Sequence, residues 1–211
     1  MSVHVTEEPT RTERKRRAIV EAATALFLRH GYGGASMDQV AALAAVSKQT
    51  VYKQFADKER LFQAVVSAVS GTVDAFIADL QATLGSTGDL PRDLQALARR
   101  YIRAVMQPRI LQLRRVMIGE ANRFPELGRE YYERGPERVI QAFASAFEVL
   151  ARRQLLRVDD PLRAAQHFAF LVLSIPMDRA LVCGDEDGFT AADLESIADA
   201  GVQVFLAAYG R

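Results

Sequence analysis

The chain has no tryptophan, a single cysteine (Cys183), three histidines and, after Lys58, no lysine at all. Each scarcity removes a class of explanation. One cysteine cannot close an internal disulfide or build a metal cluster, which fits a reducing compartment, and the interior habit of free cysteine makes Cys183 a packing residue. The histidines are His4, His30 and His167; there is no HExxH helix and no GxSxG, and "GYGG" lacks the lysine and spacing of a phosphate loop. An enzyme is therefore not expected, nor a cofactor or metal site. No stretch reaches the roughly 18 consecutive apolar residues of a membrane span, and "MSVHVTEEPTRTERKRR" lacks the apolar core of a secretory signal. The expected location is the cytoplasm, with no membrane partner.

What is present is unevenly placed. With 211 residues, 49% of them hydrophobic and 25% charged, the chain can bury one sizeable core or two modest ones. Its net charge is only +1, yet residues 1–60 hold ten basic residues against seven acidic ones, a local +3. All four lysines (Lys15, Lys48, Lys53, Lys58) lie there, while the rest of the chain uses arginine alone. Clustering of this kind matters more to a polyanionic partner than the total charge.

Helical spacing runs through nearly the whole chain. Ile19, Ala22, Ala23, Leu26 and Phe27 share one face of a helix over about 12–30, which Gly31 should stop. Ser36 and Gln39 form a capping box that opens a second helix to about Ala44, Ser47 caps a third over about 48–54, and Asp57 caps a fourth whose apolar stripe continues to Leu84. Further helices are predicted at about 91–106, 108–123, 136–157, 161–183 and 191–209, with "FPELGREYYERG" as a connector. No strand alternation or internal repeat interrupts them. The expected fold is all α, about nine helices, divided into residues 1–60 and 61–211.

The second and third helices make a helix-turn-helix unit. Two helices meeting steeply need a small residue where the backbones touch and a few apolar side chains beneath, a requirement met by Val40, Ala41, Ala44, Val46, Val51 and Phe55. With these turned inward, Lys48, Gln49, Thr50 and Lys53 face outward and Tyr52 keeps its hydroxyl at the edge. Lysine can donate to guanine O6 and N7, glutamine can pair bidentately with adenine, and hydroxyls can hold phosphates.

The run "RRAIVEAATALFLRHGYGGASMDQVAALAAVSKQTVYKQFADKERLFQAVV" resembles the DNA-binding region of TetR-family transcriptional regulators, through Phe27 with Gly31 and Tyr32, Ser36, "VAALAAVS", "TVYKQF" and "DKERLF". Ala45 departs from the pattern, standing at a corner where the family usually has glycine. The resemblance implies that Lys48, Gln49 and Thr50 look at base edges, that Tyr52 and Lys53 contact backbone or neighbouring bases, and that Ser36 and Lys58 hold phosphates. Ser47, which caps the reading helix, joins that set. Helix N-termini favour anions independently of any resemblance. Arg14 and Arg17, in the basic run Arg14–Arg17, are expected to reach phosphate or minor groove, since cations in a first helical turn oppose the macrodipole; a solvated charge run is the alternative.

The remainder resembles the family's ligand-binding and dimerisation domain less specifically, and "GEANRFPELGREYYERG" is similar to a subset associated with efflux regulators. Apolar faces on the last two helices suit a two-fold four-helix interface built on Phe170, Leu173, Ile197, Gly201 and Phe205. A cavity between helices would be lined by Phe76, Tyr101, Met117, Phe124, Phe143, Phe147 and Met177, with Glu120 and His167 as polar groups. A stripe of aromatics and methionine is also what a plain core contains, and a lone histidine on an apolar helix is also a hydrogen-bonded core residue. The expected partners are double-stranded DNA carrying an inverted-repeat operator, a second copy of the chain and a small hydrophobic or amphipathic effector. The expectation is a ligand-released repressor, with an activator or a non-DNA-binding helical adaptor as the alternative.

Overall fold

The computed structural model describes residues 10–184 and 188–211, with residues 69–72 described by their backbone alone. Among these the fold is all α: ten α-helices and one isolated antiparallel bridge between Leu156 and Gly210. The chain divides into two compact units, Met1–Ala68 and Val69–Arg211. The division falls inside α4 (Lys58–Gly85) rather than after residue 60, because Phe62 belongs to the first core: its ring lies 5.0 Å from Phe27 and 5.1 Å from Tyr32.

In the first unit, α1 (Arg11–Gly34) starts at a capping box in which Thr10 and Glu13 exchange side chain and backbone hydrogen bonds. It breaks at Gly31, whose φ of 69° is left-handed, so the regular helix ends where the sequence predicted. Ser36 and Gln39 cap α2 (Met37–Leu43), and Ser47 caps α3 (Lys48–Gln54). The corner between them is a Schellman motif: the Val46 N–H donates to the Ala41 carbonyl at 3.1 Å and the Ala45 N–H to Ala42 at 3.2 Å. Ala45 carries the positive φ of 53° that such a corner demands. Beneath it Val40, Ala41, Val51 and Phe55 are buried, while Ala44 and Val46 are half-buried. Asp57 accepts from the Arg60 N–H at 2.7 Å to start α4.

The second unit holds the rest of α4 and α5 (Leu90–Val105), α6 (Pro108–Glu120), α7 (Pro125–Tyr132), α8 (Arg138–Arg152), α9 (Pro161–Cys183) and α10 (Ala191–Tyr209). The segment read as a connector is α7 followed by a π-helical turn, Glu133–Glu137. Pro136 inside that turn has no N–H to give, and the wider i→i+5 winding accommodates it where an α-helix would break. Helix α8 stops at Arg152 instead of continuing to 157, at a second Schellman motif in which Gln154 takes a φ of 61° and the Leu155 N–H reaches the Leu150 carbonyl at 3.0 Å. Nothing in "ARRQLLRV" announces this, since no glycine marks it.

The core of this unit is a stack of aromatic rings. Phe143 and Phe168 are 4.8 Å apart, Phe147 and Phe205 4.9 Å, and all four side chains are fully buried. Gly201 lets α10 approach α9: a Cβ there would lie 3.1 Å from the Leu171 carbonyl oxygen. Arginines tie the helices together, with Arg99 bidentate on Asp199 and Arg153 donating to the carbonyls of Leu84, Gly85 and Thr87. Cys183 is exposed, not packed. Helix α4 is long enough to cross a membrane and an 18-residue window of it reaches a mean hydropathy of 1.6, but its Leu61, Phe62, Val65, Val66, Leu80 and Leu84 are all interior.

Candidate nucleic-acid interface and apolar cavity

The outward face of α3 carries the side chains the sequence assigned to it. Lys48, Gln49, Tyr52 and Lys53 are exposed and Thr50 is half-buried. The Ser47 and Thr50 hydroxyls lie 2.8 Å apart, and Ser47 also accepts from the Thr50 N–H at 3.1 Å, so both serve the helix start. Lys48 is not an open donor: its Nζ lies 2.7 Å from Asp38 Oδ1 on α2 and 6.0 Å from the Tyr52 ring centroid. The hydrogen bond and charge of Asp38 raise the lysine pKa above its ordinary value. The pair is solvent-exposed and therefore exchangeable for a nucleic-acid acceptor.

The flanking cations are also positioned by neighbours. Lys58 Nζ sits 4.6 Å above the Tyr32 ring and 3.4 Å from the Gly33 carbonyl, and Ser36 at the start of α2 is exposed. Arg16 lies over the Phe55 ring at 4.4 Å and donates to the Gln54 carbonyl, which anchors α1 to the end of α3. Arg17 pairs with Glu21 at 3.2 Å, while Arg14 is exposed. Because α1 begins at Arg11, its first turn holds Arg11 and Glu13 and closes at Arg14, so Lys15, Arg16 and Arg17 lie beyond it. The macrodipole argument therefore fails for Arg17, whose exposure on the first unit remains.

The second unit contains a cavity of about 140 Å³ between α4, α5, α6, the π-turn and α8. Phe76 and Tyr101 line it, with rings stacked 5.5 Å apart. Burial pushes the Tyr101 phenol up to about 12, against the opposing charge of nearby Arg114. Other expected lining residues lie elsewhere. Phe143 and Phe147 are core, Met117 and Phe124 are buried outside the lining, and Glu120 is half-buried outside it. His167 is exposed and hydrogen-bonded to the Tyr209 hydroxyl at 2.6 Å, so it is neither core nor cavity. Met177 touches the site only through Arg114, whose guanidinium points at the Met177 sulfur from 2.8 Å. Sequence reasoning missed Arg114, Gln107 and Tyr131, because polar residues on a mixed helix look solvated until the neighbouring helices are in place.

The interface residues fare differently again. Gly201, Phe205 and Leu173 are buried inside the unit and Ile197 is half-buried. Phe170 is 71% exposed, as are Ile175 at 70% and Val182 at 85%, so α9 is not covered on every side. Val204 on α10 is also exposed.

Comparison with known proteins matches both units. The family described as "Bacterial regulatory proteins, tetR family" matches residues 19–65, and "AefR-like transcriptional repressor, C-terminal domain" matches residues 92–211. A structure from Mesorhizobium loti, assigned to the TetR family, is 44% identical, with 96% of this chain and 100% of that one covered and a TM-score of 0.90. The flavonoid-responsive regulator FrrA is 34% identical, covers 93% and 97% of the two chains and has a TM-score of 0.74. The DNA-binding transcriptional repressor TetR of Mycobacteroides abscessus is 36% identical over 86 residues, 41% of this chain and 42% of the relative, so the match spans less than half of that curated protein. These relatives are transcriptional regulators, not enzymes.

Proposed function

Since the chain belongs to the TetR family of transcriptional regulators, we propose that it is a cytoplasmic, homodimeric repressor released from an inverted-repeat operator by a small apolar or amphipathic molecule. The observation that carries the reading is the outward set Lys48, Gln49, Tyr52 and Lys53 on a short helix capped at both ends. Gln49 and Lys48 read base edges, Thr50 and Lys53 follow, and Ser36, Ser47, Lys58, Arg14 and Arg17 hold phosphates. Engaging DNA costs Lys48 its bond to Asp38, so the pair holds the lysine in reach without burying it.

Phe170, Ile175 and Val204, apolar and exposed, support pairing of α9 and α10 across a two-fold axis. Such a dimer places two reading helices on half-sites about 34–36 Å apart or a multiple of one turn. The cavity takes the effector. Val73 and Phe76 in its wall belong to the same helix as Lys58, so displacement of α4 by a ligand couples the two activities. The flavonoid-responsive relative supports an aromatic effector.

The test is selection of bound fragments from the host genome, followed by titration of candidate aromatic compounds against the recovered operator. An inverted repeat, and compounds whose affinity and the operator's affinity weaken each other by the same factor, are expected from linkage. Tight binders in the cavity that all leave operator affinity untouched would overturn the release mechanism.

A further inference from the structure

We propose that the effector is an organic anion, a carboxylate or phenolate on an apolar body, and that Arg114 receives its charge. The proposal rests on the reading of the cavity as the effector site. Arg114 is the single charged residue of the lining; around it stand Val73, Phe76, Tyr101, Ile110 and Val139. Its Nε is buried and has no hydrogen-bond partner, and its Nη1 meets the Met177 sulfur, a weak acceptor. No described carboxylate lies within ion-pair distance of it.

Arg100 Nε also lacks a hydrogen bond in this unit, but it pairs with Asp79 at 2.9 Å, and other arginines here have oxygen partners. Arg99 holds Asp199, Arg103 holds Glu195, Arg138 holds Asp74, and Arg115 donates to the Ala180 carbonyl. A guanidinium presents five donors in a planar fork, and withdrawing one of them from water without an acceptor, as at the Nε of half-buried Arg114, is unfavourable. A carboxylate entering the cavity supplies two acceptors in the matching geometry, at a site where charge is less screened than at the surface. Tyr101, whose phenol stays protonated far above neutral pH, and Gln107 can donate to the same group. The stacked Phe76 and Tyr101 rings offer an apolar bed. At about 140 Å³ the cavity is near the roughly 150 Å³ that accommodates a benzene ring, which favours a single-ring body.

The experiment titrates the full-length protein by calorimetry, and its operator complex by fluorescence anisotropy, with two matched pairs: cinnamate against cinnamamide, and octanoate against octanamide. Cinnamate is expected to bind at least roughly tenfold more tightly than cinnamamide, as a charge-assisted bidentate contact implies. Arg114→Met should weaken cinnamate far more than cinnamamide and so bring the pair within about threefold of each other, and Arg114→Lys should keep part of the preference. Unchanged helicity and melting temperature of the variants show that the fold is intact. A stronger acid preference for cinnamate than for octanoate assigns an aromatic body, and the reverse an aliphatic one. The anion assignment is overturned if acid and amide bind alike, if Arg114→Met keeps the preference, or if neither pair binds. Amides that bind equally well and still release the operator would sink the anion while leaving the effector site standing. Ala104→Trp, which fills the cavity, distinguishes the remaining case: binding that survives it lies elsewhere, and the effector-site reading fails with it.

Discussion

The two units use positive charge in opposite ways. In the first, Lys48, Lys53 and the arginines of α1 are exposed and Lys15 and Lys58 half-buried, and their contacts are shallow: Lys48 on exposed Asp38, Arg17 on Glu21, Lys58 over a tyrosine ring. In the second, arginine is a structural fastener, drawn onto carboxylates and helix-end carbonyls by Arg99, Arg138 and Arg153. Lysine's compact, strongly hydrated charge suits a surface that must exchange partners, while the fixed fork of arginine suits a bond made once on folding. Arg114, whose buried Nε has no hydrogen-bond acceptor and whose contact is the Met177 sulfur, departs from that pattern, and the anion proposal rests on this departure.

The largest effects should come from the apolar counterpart of that contrast. Phe205→Ala removes a ring packed on Phe147 and Phe168 and should cost about 3–5 kcal/mol in thermal or denaturant unfolding. Phe170→Glu, on the same pair of terminal helices but exposed, should keep the helical spectrum and convert dimers to monomers in sedimentation. If the exposed site destabilised as much as the buried one, the proposed division between core and interface residues would be wrong.

Next come the two kinds of DNA contact. Gln49→Ala should weaken operator binding by roughly 1–3 kcal/mol and relax the preference at one base pair. Lys58→Ala should weaken all sequences alike and lower the salt slope by about 1. Selection of the same operator by the Gln49 variant would move the reading helix elsewhere.

Smaller still are the two corners, one in each unit, where a side chain sits at positive φ. Ala45→Gly and Gln154→Gly should each stabilise by up to about 1 kcal/mol, because only glycine adopts that conformation without a Cβ penalty. A loss of stability at either would mean that the corner is held by contacts the side chain itself makes.

The weakest expected effect separates the capping boxes. Glu13 is held below its usual carboxylate value by the backbone and hydroxyl of Thr10, and Asp193 by the hydroxyl and backbone of Thr190. A depressed folded pKa contributes stability that is complete above the unfolded value, 4.5 or 3.8, and is lost as the pH falls through the folded one. The starts of α1 and α10 should therefore lose amide protection on acidification below about pH 4, whereas α2, whose box uses uncharged Gln39, should not. Equal fraying of all three would remove the carboxylates from the account.

Much of this molecule was determined by short-range sequence. Ser36, Ser47, Asp57 and Gly31 mark helix ends through neighbours no more than a few residues away, and Pro161–Cys183 and Ala191–Tyr209 begin and end where such signals place them. The outward set on α3 was legible for the same reason, since a seven-residue helix with one buried face leaves little freedom for the rest. What only the tertiary structure decided was which apolar stripe meets which. Phe205 and Phe170 look alike in a pattern of hydrophobic residues, yet one is enclosed by rings from α8 and α9 and the other is open. Lys48 finds Asp38 only because a corner folds α2 against α3, and the Nε of half-buried Arg114 is withdrawn from solvent only because α4, α5 and α8 close around α6. Capping and periodicity are set by contacts within about four residues along the chain, whereas a cavity or an ion pair between helices depends on spacings that no local stretch encodes.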